Sequence, residues 1–112
     1  MTNPLGNLFQ SSEKQLLDAW VSDQMASATM RRDLITEKEL QEQSQQFLRS
    51  VLEALGQDEK LDFSSPAWSE VKNFLASISR TRARMGFSPS ETASFVFSLK
   101  NTLLHWLQGK IS

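Results

Sequence analysis

Residues Gly86 to Glu91 end one helix and begin another within a few positions. Gly86 suits the close of a helix, because glycine enters the left-handed region without a Cβ penalty. Ser88 and Glu91 have the Ser-x-x-Glu spacing of a capping box, and Pro89 between them suits a first helical turn. Because the connection is so short, the two helices it joins must pack as neighbours. We call residues 86–91 the corner.

The helix that begins at Pro89 is predicted to run to about Gln108 or beyond. On a helical wheel its polar residues share one face and its apolar residues form two adjoining stripes. The polar face is Ser94, Ser98, Asn101, His105 and Gln108; the stripes are Val96, Leu99, Leu103 and Trp106, then Phe97, Leu104, Leu107 and Ile111.

These stripes are together wider than the apolar face of a helix that is covered on one side only. We therefore expect two covers for this helix, namely the rest of the chain and a second copy of it. The predicted fold is thus dimeric. The candidate residues for the dimer interface are Val96, Leu99, Leu103, Trp106 and Leu107.

Three further helices are predicted upstream. One runs from Ser11 or Ser12 to about Ala26, the next from a Thr36–Glu39 capping box to Gly56, and the third from Ser65-Pro66 to the corner. A shorter helix start is predicted at Asn3-Pro4, and Leu61 and Phe63 are expected to pin a loop onto the core. The glutamine-rich outer face of the second helix is expected to be solvated: Gln41, Glu42, Gln43, Gln45 and Gln46. No segment alternates with the period of a strand for long. The prediction is an all-α bundle of four main helices plus short N-terminal and connecting turns.

Length and composition limit the class of protein. A chain of 112 residues is expected to form one domain, spanning 1–112, around a single core. Its 12 basic and 13 acidic side chains nearly cancel, which argues against nucleic acid and against an anionic membrane surface. The absence of cysteine excludes disulfides and cysteine-ligated metals. No signal peptide or membrane-length apolar run is present, so we expect a cytoplasmic protein.

Two kinds of side chain stand out on the predicted core faces. Trp20, Trp68 and Trp106 fall on three different helices and are expected to anchor the core, with an aromatic ligand pocket as the alternative. Arg82 continues the apolar row that ends at Ile78. A charge there is expected to snorkel to the surface or to pair with a carboxylate at the edge of the core.

No catalytic set can be assembled from the sequence, and no enzyme activity, catalytic residue or metal ligand is predicted. His105 is the only histidine. Its apolar neighbours suggest a haem ligand, whereas its place on the polar face favours a solvated or interface histidine. Haem through His105 is therefore an alternative. Arg80 and Arg84 share a helix face that excludes Arg82, which is weak support for a nucleic-acid patch.

Residues 78–93, continued by 95–100, resemble the N-terminal domain of RsbR-type proteins, the RsbT co-antagonists of bacterial stressosomes. Residues 17–20 and 31–34 are also similar to that family. The most specific part of the resemblance consists of Arg80, Arg82, Gly86, Phe87, Ser88, Pro89, Ser90, Glu91 and Thr92.

The resemblance implies a helical regulatory input module, globin-like or bundle-like, that dimerises and precedes a STAS domain. It implies RsbS- and RsbT-like partners for the full-length protein, with stress releasing the RsbT kinase. The chain ends at Ser112 without a STAS domain, so an excised sensor domain or a stand-alone relative is expected, and no phosphorylation site is carried over. Some family members are haem-binding oxygen sensors, which makes a haem- or small-ligand-binding gas sensor using His105 the alternative function.

Overall fold

The computed structural model describes residues 11–27, 31–57 and 64–111, with side chains to Gly109 in the last helix. All regular secondary structure in these ranges is helical. The elements are α1 (Glu13–Ala26), α2 (Glu37–Gln57), a 3₁₀ turn (Pro66–Trp68), α3 (Ser69–Met85) and α4 (Pro89–Ile111). The predicted all-α bundle of four main helices is confirmed. The helix start at Asn3-Pro4 and the pinning residues Leu61 and Phe63 lie outside the described residues.

Local capping explains where α2 begins. The Thr36 N–H donates to Glu39 Oε1 at 3.0 Å, and the Glu39 N–H donates to Thr36 Oγ1 at 3.1 Å. This reciprocal pair is the predicted capping box, and it satisfies two N–H groups that no helical carbonyl can reach. The pKa of Glu39 is lowered, chiefly because its carboxylate accepts from the Thr36 backbone.

The start of α3 differs from the prediction. The Trp68 N–H donates to the Ser65 carbonyl oxygen at 3.1 Å, so the Ser65 hydroxyl does not cap the helix. Pro66 opens a 3₁₀ turn instead, and the α-helix proper begins at Ser69. The Ser65 Oγ is buried with no hydrogen-bond partner among the described residues.

The core lies where α1 packs against α2 and α4 and where α2 packs against α3. Trp20 is fully buried at its centre, with ring centroids 4.9 Å from Phe95 and 6.3 Å from Phe47. Trp68 is also buried, and Trp106 is half-buried against the same core. Tertiary packing thus places α4 against α1 on one side and leaves its contacts with α3 sparse.

Candidate functional site

The corner has the geometry that its sequence predicts. Gly86 adopts a φ of 107°, and its N–H donates to the Ala83 carbonyl at 3.1 Å. The Phe87 N–H donates to the Arg82 carbonyl at 2.9 Å, which completes a Schellman motif at the end of α3. Ser88 and Glu91 then exchange hydrogen bonds of 2.8 and 3.1 Å at the start of α4. The connection between α3 and α4 is therefore fixed by backbone and capping hydrogen bonds.

An ion pair ties the corner to the segment that precedes α2. Arg31 Nη1 lies 3.1 Å from Glu91 Oε2, and Arg31 Nη2 lies 2.9 Å from Asp33 Oδ2. The pKa of Glu91 is lowered, mainly because its carboxylate accepts a hydrogen bond from the Ser88 backbone and to a lesser extent because Arg31 lies beside it. The pKa of Asp33 is lowered by the same guanidinium. Arg31 thus joins two carboxylates that are distant in sequence.

Arg82 is buried rather than snorkelling or ion-paired, so that expectation is wrong. The residue is 3% exposed, and no described carboxylate lies within salt-bridge distance of it. Its Nε donates to Gln43 Oε1 at 3.1 Å, and its guanidinium carbon lies 4.7 Å from the Phe87 ring centroid and 4.1 Å from that of Phe95. Burial lowers the pKa of Arg82 to about 10. Two aromatic faces and an amide take the place of a carboxylate.

The polar face predicted for α4 lies partly inside the protein. The Trp20 Nε1–H donates to Ser98 Oγ at 2.7 Å, and the Thr102 hydroxyl hydrogen-bonds to Asp23 Oδ2 at 3.3 Å. Both bonds connect α1 with α4. The buried face of α4 is therefore centred on Phe95, Leu99 and Thr102, whereas the wheel placed Ser98 outward because it is polar. The other residues of the predicted polar face are exposed: Ser94, Asn101, His105 and Gln108.

An open apolar groove follows α4 on the side facing α2 and α3. Its volume is about 470 Å³, and a second hollow of about 400 Å³ shares Leu75 and Val96 with it. Phe97, in the wall of the second hollow, is 63% exposed, and Leu104, in the wall of the first, is 48% exposed. The first hollow has two lysines in its wall, Lys72 and Lys100, and is otherwise apolar, whereas the second also contains Ser79 and Thr92. We call these two joined hollows the apolar groove.

The residues predicted for a dimer interface lie in or near this groove. Leu99 is 4% exposed and belongs to the core, so a second copy could touch little of it. The other four are half-buried and pack against the core: Val96, Leu103, Trp106 and Leu107. The two large apolar side chains that are exposed among the described residues, Phe97 and Leu104, belong to the second stripe. The wheel showed both stripes but could not show which one α1 covers.

His105 does not have the surroundings of a haem ligand. Its side chain is exposed, and it lines none of the four cavities described among residues 11–27, 31–57 and 64–109. A haem ring needs a closed apolar pocket next to its axial ligand. The apolar groove lies on another face of α4, so the residues around His105 do not fit a haem. Over the described ranges, no group of three or more histidine, cysteine, aspartate or glutamate side chains is placed to hold a metal ion.

The described residues form an all-α domain with an apolar groove along its last helix. None of the described helices is both long enough and apolar enough to cross a membrane. Residues 14–110 match the family described as the RsbT co-antagonist protein rsbRD N-terminal domain, and the chain belongs to that family. This is a family of regulatory domains rather than of enzymes. Neither a curated protein nor a solved structure matches the chain, so a globin-like topology stays a prediction.

Proposed function

We propose that the chain is the regulatory input domain of a stressosome RsbR-type protein. It dimerises through α4 and relays a stress signal to a following STAS domain that controls release of an RsbT-like kinase, in complexes that also contain an RsbS-like protein. Family membership supports the regulatory role. The main observation in favour of a dimer is that Phe97 and Leu104 are exposed beside the apolar groove.

Phe97 and Leu104 are seven residues apart, so they lie on one face of α4 two turns from each other. The 23 residues of this helix span about 34 Å at ~1.5 Å per residue. Exposed apolar side chains that border a contiguous groove are typical of a contact surface. A stable interface buries about 800 Å² on each partner.

We propose a second copy as the occupant of this surface, because exposed apolar side chains and apolar hollows lie next to each other on it. Each copy offers protruding side chains, Phe97 and Leu104, next to hollows lined by residues such as Leu75 and Val96. In a two-fold dimer the same patch appears on both subunits, so the protrusions of one copy enter the hollows of the other.

The same helix connects the proposed dimer interface, which we call the seam, with the core of the protomer. On its buried side, α4 contributes Phe95 and Leu99 to the core and hydrogen-bonds to Trp20 through Ser98. A rotation or small shift of α4 at the seam would change these contacts. It would also move whatever follows the helix, which is how the signal would reach a STAS domain.

The dimer is tested with Phe97→Glu combined with Leu104→Glu. Both side chains are exposed, and glutamate is a good helix former, so the variant should still fold. The added glutamates place like charges on the two copies at the proposed interface, where they repel each other. We expect the wild type to be dimeric and the variant monomeric at about 50 µM by light scattering coupled to gel filtration. The matched control is Gln41→Glu with Gln46→Glu, which adds the same charge to exposed positions on α2 and should stay dimeric. A monomeric wild type would refute the proposal.

The position of the dimer interface is tested by measuring a distance between spin labels on the two copies. Because the chain contains no cysteine, Gln108→Cys creates one labelling site for a nitroxide. A short intermolecular distance by pulsed electron resonance, lost in the Phe97→Glu/Leu104→Glu background, places the seam on α4. A dimer with no short distance would place it elsewhere.

The signalling role is tested in a full-length protein that carries this domain. We expect the Phe97→Glu/Leu104→Glu variant to co-purify with RsbS- and RsbT-like partners but to alter RsbT release under stress, whereas Gln41→Glu/Gln46→Glu leaves release unchanged. Unaltered release in the monomeric variant would separate dimerisation from signalling.

A further inference from the structure

Arg82 lines a small polar cleft on the other side of α4 from the apolar groove. The cleft has a volume of about 60 Å³ and lies among α1, α2, α3 and α4 and the residues before α2. We call it the Arg82 cleft. Its polar lining consists of Asp23, Gln24, Ser27, Arg31, Arg82, Glu91, Ser94 and Ser98. A cleft of this size holds a few water molecules or one small ion.

The guanidinium of Arg82 is incompletely satisfied. Only its Nε has a described hydrogen bond, to Gln43, and its Nη2 is buried without a hydrogen-bond partner among the described residues. The rings of Phe87 and Phe95 offset part of the cost of burying the charge, but an aromatic face accepts no strong N–H hydrogen bond. A buried cation with an orphan N–H is costly unless an anion or acceptor joins it.

The two carboxylates in the cleft wall have other partners. Glu91 accepts from the Ser88 N–H and pairs with Arg31, and Asp23 accepts from Thr102. Arg31 in turn is shared between Glu91 and Asp33. The hydroxyls of Ser94 and Ser98 and the Gln24 amide are also in the wall, although Ser98 and Gln24 already bond to Trp20 and Ser44. No described carboxylate therefore forms an ion pair with Arg82, although Asp23 and Glu91 lie in the same cleft wall.

We infer that the Arg82 cleft binds a small oxyanion, either a short carboxylate such as acetate or inorganic phosphate. Arginine suits this ligand because its planar guanidinium donates directed, charge-assisted N–H bonds to oxyanions. This inference does not depend on the proposed dimer, because the cleft is lined by residues of one protomer.

The test is a titration of the whole chain, followed by NMR of the arginine side-chain N–H groups. Sodium phosphate, sodium acetate and sodium chloride are compared at constant ionic strength, and the Arg82 signals are assigned by their loss in Arg82→Gln. We expect a saturable shift of the Arg82 N–H signals with phosphate or acetate and none with chloride. The anion that saturates identifies the source of the ligand as inorganic or carboxylate. Shifts that are linear, or equal in all three salts, would overturn the inference.

A second variant guards against misfolding of Arg82→Gln. Ser94→Asp keeps Arg82 and adds a carboxylate to the cleft wall at an exposed position. We expect it to weaken binding at least tenfold and to raise the unfolding temperature, because its own carboxylate takes the place of the anion. The control Asn101→Asp adds the same charge to an exposed position of α4 outside the cleft lining and should bind as the wild type does. Unchanged binding in Ser94→Asp would contradict the assigned site.

Discussion

Gly86 is the residue at which backbone conformation, rather than packing, decides what the position tolerates. Its φ of 107° is unfavourable for any side chain with a Cβ, while a Cβ built there would meet the Leu34 methyl groups at 3.4 and 3.6 Å, which is close to ordinary contact. We expect Gly86→Ala to lower the free energy of unfolding by about 1–2 kcal/mol, measured by urea denaturation.

The chain contains its own control for this substitution. Gly109 lies within α4, and a Cβ there would meet nothing within 4 Å. Gly109→Ala should therefore be neutral or stabilise the protein by up to about 1 kcal/mol, because alanine favours the helix. If both variants behaved alike, the left-handed turn at Gly86 would not be what stabilises the corner.

Glu91 makes the corner sensitive to acid. Its pKa is lowered in the folded protein by the Ser88 backbone N–H and by Arg31, so its carboxylate contributes stability above the pKa of the unfolded chain. That contribution is lost as the pH falls through the lower pKa of the folded state. Between about pH 6 and about pH 3, the free energy of unfolding should fall less steeply in Glu91→Gln than in the wild type. Denaturation at each pH measures this, with Glu42→Gln on the exposed face of α2 as the control.

At the scale of elements, α1 and α4 are joined by a hydrogen bond that buries its donor. Trp20 has no exposed surface, and its indole N–H depends on Ser98 Oγ at 2.7 Å. Ser98→Ala leaves that donor without its partner, so we expect a loss of about 1–3 kcal/mol in the free energy of unfolding and an altered tryptophan emission spectrum. Ser94→Ala, one turn earlier and exposed, should change neither. An unperturbed Ser98→Ala variant would show that water replaces the hydroxyl.

Sequence predicted the ends of the helices better than their faces. Caps are local, so Thr36, Gly86 and Ser88 act as their neighbours dictate. The faces depend on partners that are distant in the chain. Ser98 was placed on the outer face by the wheel, and its hydrogen bond to Trp20 on α1 shows that it faces inward.

The environment of Arg82 was beyond sequence reasoning for the same reason. Its position on an apolar row showed that the charge was unusual, but not that two rings and an amide would enclose it. The helix and the residue were predictable, whereas the partners from α2 and α4 were not. Tertiary contacts of this kind therefore decide where a candidate site lies in a helical bundle.

At the scale of the whole molecule, the proposed dimer links stability to protein concentration. A partner that binds only the folded state adds stability that grows with its concentration, so the thermal unfolding midpoint of a dimer rises as the protein is concentrated. We expect the midpoint of the wild type to rise between about 1 µM and about 100 µM, and that of Phe97→Glu/Leu104→Glu to stay constant, because exposed Phe97 and Leu104 are the proposed contacts. The Gln41→Glu/Gln46→Glu control should keep the dependence of the wild type. Scanning calorimetry at several concentrations measures all three proteins, and a wild-type midpoint that does not move would leave the apolar groove without its proposed occupant.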